Sequence, residues 1–246
     1  MHGTNSYAVM HFVAQHYSTL LTFDWNKFPK LVGDIAHSWK VSSDALTYTF
    51  FIRRDVIFHD GTPLTSRDVK ATYERLRNPP RGLISVRKAL FSAISEILTP
   101  DNYTVIFKLR VPDAFMLQGF ASPFNAIYSA KDIEKSPKWH LTNINGTGPY
   151  KFVRYTKGKF WKTSKFLDFH HKDNCLDGTE AYRIRRLSDP LIDGKIMAEW
   201  RGTAPSERIY LKRRMGDDIF FKEKTLMTLW VVSLNSSNKA FQNKKI

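Results

Sequence analysis

A chain of 246 residues with 42% apolar content can bury a sizeable core, as one large domain or two smaller ones, which excludes an intrinsically disordered protein. No run approaches the roughly 18 uninterrupted apolar residues of a membrane-spanning helix, and the start, Met1-His-Gly-Thr-Asn-Ser6, lacks the basic and then apolar design of a secretory signal. The net charge of +15 is spread over short clusters such as Arg183-Ile-Arg-Arg186 and Lys212-Arg-Arg214, outside any zinc-finger, basic-zipper or aromatic RNA-binding motif, and the single cysteine, Cys175, excludes an internal disulfide.

Residues 7–21 place Val9, Phe12, Val13, His16, Tyr17 and Leu20 near one helical face, predicting a packed amphipathic helix. His11 and His16 stand five apart, whereas ligands on one helix need a spacing of three or four, so both read as core or surface histidines. Residues 23–29 read as a loop, and 31–39 as the start of the next packed segment. Leu46, Tyr48, Phe50 and Ile52 then alternate with Thr47, Thr49, Phe51 and Arg53, the period of two that defines a half-buried strand. His59-Asp-Gly-Thr-Pro63 supplies turn chemistry. Thr65 and Asp68 have capping-box spacing, and Val69, Tyr73 and Leu76 continue a helix that Asn78-Pro-Pro80 stops. Asp60 and Asp68 are accordingly a turn residue and a helix cap rather than ligand carboxylates.

Residues 84–94 show mixed helical spacing. Residues 97–98, a turn at 99–102 and an alternating strand over 103–109 predict a hairpin. A short helix follows at 114–120, an extended stretch at 122–128 and a polar surface helix at 131–138. Asn145-Gly-Thr-Gly-Pro-Tyr150 is a tight turn leading into a strand over 150–155. It lacks the Lys-Ser/Thr of a phosphate loop and precedes a strand instead of a helix, so no nucleotide site is expected.

His170, His171 and Cys175 are the one metal-like cluster, but adjacent histidines point oppositely on a strand and a fourth ligand is wanting, so no metal is expected. Residues 176–186 read as turn and strand, 192–200 and 206–215 as short helices, and 226–234 as a buried strand. There is no Gly-x-Ser-x-Gly elbow, Walker motif or dinucleotide fingerprint, which leaves a hydrolase with scattered residues, or a basic nucleic-acid binder, as the secondary readings.

Residues 36–69 resemble the family 5 extracellular solute-binding proteins, which serve oligopeptide, dipeptide and nickel ABC importers. The likeness is carried by Ala36 to Trp39, Asp44, Leu46-Thr-Tyr-Thr-Phe50, Ile52-Arg53, Asp55-Val56, Phe58-His-Asp-Gly-Thr-Pro-Leu-Thr65 and Asp68-Val69. Pro100-Asp101, Tyr103-Thr-Val105, Pro112-Asp-Ala114, Gly146-Thr-Gly-Pro-Tyr-Lys-Phe152 and Leu176-Asp-Gly178 follow in the family's order, colinear over about 150 residues. Asn174-Cys175 departs from the family's usual Pro-Tyr.

The resemblance implies a mixed α/β, periplasmic-binding-protein-like lobe of type II, built from residues 1–27 and 141–246. An α+β subdomain over 28–140 would be inserted into it, and the second lobe would be missing from this chain. It implies a periplasmic or membrane-anchored receptor without enzymatic activity or cofactor, monomeric and not binding nucleic acid. That receptor would capture a peptide and hand it to ABC permease subunits at the membrane. The implied cleft-side residues are Tyr7, Met10, Leu83, Ser85, Phe124 and Asn125, where Met and Phe offer adaptable apolar surface to varied side chains.

Overall fold

The computed structural model describes residues 2–3, 7–24, 26–172, 176–182, 188–198 and 204–221. Two compact units divide the chain at residue 183. In the first, helix α1 (Tyr7–Val13) leads through a 3-10 turn (Ala14–His16) into strand β1 (Leu21–Phe23), which pairs antiparallel with β2 (Leu31–Gly33). The long helix expected over 7–21 therefore ends early. The backbone of Thr19 and Leu20 is claimed by its neighbours: Ile35 N–H donates to Thr19 O, and Asp34 and Ala36 N–H to Leu20 O, at 3.0–3.2 Å. Leu20 and Leu21 are buried by strand pairing instead of by a helical face.

Strands β3 (Ala36–Val41) and β4 (Thr47–Ile52) form a hairpin, and helix α2 (Ser66–Arg77) follows. Strand β5 (Ile94–Asp101) and β6 (Thr104–Leu109) complete an antiparallel sheet of order β3-β4-β6-β5. The alternation in β4 buries Tyr48, Phe50 and Ile52, and that in β6 buries Val105, Phe107 and Leu109, all on one face. Tyr73 of α2 meets Phe91, Phe107 and Phe120 edge-on, with centroids 5.1, 5.0 and 5.3 Å away, the geometry that ring quadrupoles favour. Pro100 sits within β5 because that strand is at the sheet edge, where a missing N–H costs no ladder bond. The hairpin turn accordingly falls later than expected, with the Asp101 carboxylate accepting from Tyr103 N–H at 2.7 Å.

The cap of α2 is as the spacing predicts. The Asp68 carboxylate accepts from Thr65 N–H at 2.8 Å, and its other oxygen accepts from Ala130 N–H at 2.8 Å, so one side chain caps α2 and docks a second segment. No helix forms over 84–94. Phe91, Ser92 and Ile94 N–H close successive turns on Arg87, Ala89 and Phe91 carbonyls, and the apolar spacing is met by burying Phe91 and Ile94 from irregular backbone.

Helices α3 (Met116–Ala121) and α4 (Ala130–Lys135) flank a 3-10 turn, Pro123–Asn125, where extended chain was expected. Strands β7 (Tyr150–Thr156), β8 (Phe160–Lys165) and β9 (Glu180–Tyr182) form a separate antiparallel sheet. The lysine-rich β8 escaped the sequence reading. The second unit contains α5 (Ser188–Ile192) and α6 (Pro205–Met215). Helix α5 lies ahead of the expected 192–200 segment and is followed by Gly194 in the left-handed region at φ 65°. The strand expected over 226–234 lies outside the described residues, as does the 183–186 end of the turn and strand expected over 176–186.

Candidate functional site

The six candidate residues arise from three places in the first unit. Tyr7 opens α1 and Met10 follows on it, half-buried. Leu83 and Ser85 belong to the irregular loop after α2, and Phe124 and Asn125 to the 3-10 turn after α3. The second and third places meet through Arg87, whose guanidinium lies over the Phe124 ring at 4.7 Å, a cation–π contact strengthened by burial. That burial lowers the Arg87 pKa from the ordinary arginine value. The amino-terminal strand of chain joins them as well, since a side chain added at Gly3 would meet the Ile84 carbonyl at 3.2 Å.

The six do not share one role. Asn125 is fully buried and its Nδ2 donates to Gly119 O at 2.7 Å, while its backbone N–H closes on Ser122 O at 2.8 Å. It braces the turn that presents Phe124. Ser85 Oγ and Asn125 Oδ1 are buried without a hydrogen-bond partner in the structure.

Next to this turn is a stack that sequence reasoning missed. His2 Nε2 bonds Ala126 O at 2.9 Å and its ring stacks on Tyr128 at 4.1 Å, and the ring of His140 stacks on Tyr128 at 3.8 Å. Burial lowers the His140 pKa to about 3 and also holds His2 below its ordinary value, so both imidazoles are neutral. His2 Nδ1, both ring nitrogens of His140, and Arg75 Nε and Nη1 are buried without partners. No spacing rule joins residues 2, 75, 128 and 140; only the fold does.

A third group surrounds the Gly-Thr-Gly-Pro turn. Trp161 Nε1–H donates to His16 Nε2 at 3.2 Å, which leaves His16 Nδ1–H to donate to Tyr150 O at 2.6 Å. His59 Nε2 bonds Gly148 O at 2.9 Å, and its ring is 6.3 Å from that of His16. Burial lowers both pKa values to about 4. The glycines are required by close approach: a Cβ on Gly146 would stand 1.9 Å from His16 O, and one on Gly148 would stand 2.5 Å from Tyr17 N. The turn is thus a packing element.

The expectation that His170 and His171 diverge is overturned. They lie in a turn beyond β8, outside any strand, and both Nε2 atoms reach Asp34 Oδ1, at 2.8 and 3.2 Å. Cys175 lies outside the described residues. A shallow cavity of about 370 Å³ lined by Ala45, Tyr48, Pro112, Asp113, Ala114 and Leu117 includes none of these groups. No described helix is long and apolar enough to cross a membrane.

Comparison with known proteins agrees with this architecture. A Brucella ovis protein, whose name assigns it to peptide binding for an ABC transporter, is 36% identical over 160 residues, 63% of this chain and 29% of that protein. The glutathione-binding protein GsiB of Salmonella choleraesuis is 27% identical over 228 residues, 91% of this chain and 44% of its own. Among solved structures, the ABC transporter-associated periplasmic binding protein DppA from Helicobacter pylori, in complex with peptide STSA, superposes with a TM-score of 0.72 at 26% identity. That match covers 79% of this chain and 42% of DppA, so the chain spans less than half the length of the relatives it matches. The model of the bacterial extracellular solute-binding proteins, family 5 Middle, matches residues 30–246, and with the mixed α/β fold built around β4, α2 and the Gly146–Tyr150 turn, the chain belongs to that family.

Proposed function

We propose that this chain belongs to the substrate-binding component of an ABC importer, which captures peptides outside the cytoplasm and delivers them to a membrane permease by binding alone. The observation that carries the reading is the colinear family match over residues 30–246, supported by relatives whose names specify peptide and glutathione binding. Residues 1–27 and 141–246 would form a lobe into which 28–140 is inserted, the protein acting as a monomer.

The ligand surface of this lobe would be the ground between Met10, the Leu83–Arg87 loop and Phe124, together with Tyr7. Its chemistry suits a peptide. Met10, Leu83 and Phe124 offer apolar and aromatic contact that tolerates varied side chains. Asn125 acts through the turn it braces.

The test is thermal stabilisation of the full-length gene product by di-, tri- and tetrapeptides and by glutathione. A ligand present at 100 times its Kd adds about 2.7 kcal/mol to stability. Phe124→Ala should weaken that response without lowering the melting temperature of the unliganded protein by more than a few degrees. Absence of stabilisation across the panel would overturn peptide capture.

A further inference from the structure

We propose that Asp34, His170 and His171 form a binding site for a divalent transition-metal ion of the zinc class, separate from the candidate peptide surface. One ligand atom from each residue lies within 4.8 Å of the other two. His170 Nε2 and His171 Nε2 stand 2.8 and 3.2 Å from Asp34 Oδ1, close to the spacing of about 3.4 Å between ligand atoms that bonds of 2.0–2.2 Å give in a tetrahedral site. An ion entering between them would spread both imidazoles slightly from Asp34 Oδ1.

The local backbone is arranged to present these atoms. Asp34 Oδ2 accepts from Thr19 N–H at 2.9 Å, which fixes the carboxylate plane and turns Oδ1 toward the imidazoles. The histidine turn is tied at both ends, by Phe166 N–H on Pro149 O at 2.9 Å and by Arg53 Nη2–H on His170 O at 3.0 Å. An Asp–His pair is a common buried contact. A second imidazole on the same carboxylate oxygen exceeds what that contact requires.

Charge favours a cation. The cluster holds one carboxylate, Asp34, and the nearby Arg53 guanidinium is offset by its pairing with Asp55 at 2.8 Å. In the metal-free form each imidazole donates Nε2–H to Oδ1. On binding, each neutral ring carries its proton on Nδ1 and offers the Nε2 lone pair, while Asp34 Oδ1 exchanges its two hydrogen bonds for one bond to the ion. Two imidazoles and one carboxylate select a borderline ion such as zinc over calcium or magnesium, which prefer all-oxygen sites. The His170 side chain is 1% exposed and that of His171 36%, so the ion would enter past His171 and keep its fourth position open to water. A bound ion would clamp the Thr19–Asp34 segment to the turn beyond β8.

Untagged protein, stripped with chelator, is titrated with zinc chloride by calorimetry and with cobalt chloride by visible absorption, which reports nitrogen–oxygen coordination directly. One equivalent is expected. His171→Ala, at a half-exposed position, should weaken affinity at least tenfold, a loss seen even for outer partners of metal ligands. Asp34→Asn should do the same, and His37→Ala, an exposed histidine on β3, should leave affinity unchanged. Absence of stoichiometric binding, or affinity in His171→Ala equal to that of the parent, would overturn the site. Peptide stabilisation is read separately, so failure here leaves the importer reading standing, and the reverse holds.

Discussion

Acidification should destabilise this protein before its carboxylates titrate, and His16 and His59 set much of the size of the effect. Both are held near pKa 4 by burial, against an ordinary value of 6.5. The neutral form is the one the fold accommodates: His16 Nε2 must accept from Trp161, and a proton placed there removes the acceptor. Their folded pKa values are depressed, so the unfolded state binds more protons between pH 6.5 and 4 and stability falls as pH falls through that window. From pH 7 to 5 each group removes about 2 kcal/mol, and the pair about 4 kcal/mol, a large part of the roughly 5–15 kcal/mol of a typical domain. The melting temperature should drop by about 8–16 °C at the 2–4 °C per kcal/mol expected for this size. His140 and His2 act in the same direction, whereas Asp68, raised by burial, works oppositely. Urea titrations at pH 7, 6 and 5 measure the slope, and His16→Gln with His59→Gln should reduce it markedly. Equal stability at pH 7 and 5, or a slope untouched by the double substitution, would refute the assignment.

Two further substitutions probe the interior. The Tyr73 hydroxyl is fully buried with no hydrogen-bond partner, so Tyr73→Phe should stabilise by about 1–2 kcal/mol, since an unsatisfied buried group costs about 1–3 kcal/mol and the lost atom leaves little cavity. Denaturant midpoints decide it, and destabilisation would mean that the hydroxyl is bonded. Gly148→Ala should lower the yield of folded protein or the melting temperature by more than about 10 °C, because its Cβ meets backbone of Gln15, His16 and Tyr17 at 2.5–2.7 Å and backbone cannot step aside as a side chain would. Gly158→Ala is the matched control: no atom lies within 4 Å of its Cβ, so only the strain of φ 72° remains.

Much of the central sheet was legible because its signals are local. The alternation Leu46 to Ile52, the turn at Gly61 and the Thr65–Asp68 cap each act over a few residues, and β4 and α2 appear where those signals place them. Legibility fails where a nonlocal partner decides. Leu20 could serve a helix or a strand, and Asp34, Ile35 and Ala36 settled the matter by pairing with it and Thr19. Lys162 and Lys165 disguised β8, whose lysine ammonium groups can reach solvent from a strand. The candidate peptide surface was named by resemblance, and its physical cohesion, Arg87 over Phe124, follows from no periodicity. The pairing of Asp34 with His170 and His171 spans 136 and 137 residues, beyond any spacing rule for ligands.

The placement of titratable groups bears on what this lobe can do. A general base needs a free lone pair facing a cleft and a pKa near the working pH. His16 Nε2 is occupied by Trp161, His59 is anchored on Gly148 O, and both charge only near pH 4. Asp60 is engaged by Thr62 and Asn145, Asp68 caps α2, and Asp132 holds Lys135 and Asn145. These groups are committed to fastening loops, and the Gly146–Pro149 turn is where several of them converge. On the ground proposed for the ligand, the Arg87 guanidinium is stacked on the Phe124 ring and Ser85 Oγ is buried, so contact there would come from apolar and aromatic side chains. A surface of that kind tolerates varied peptide side chains.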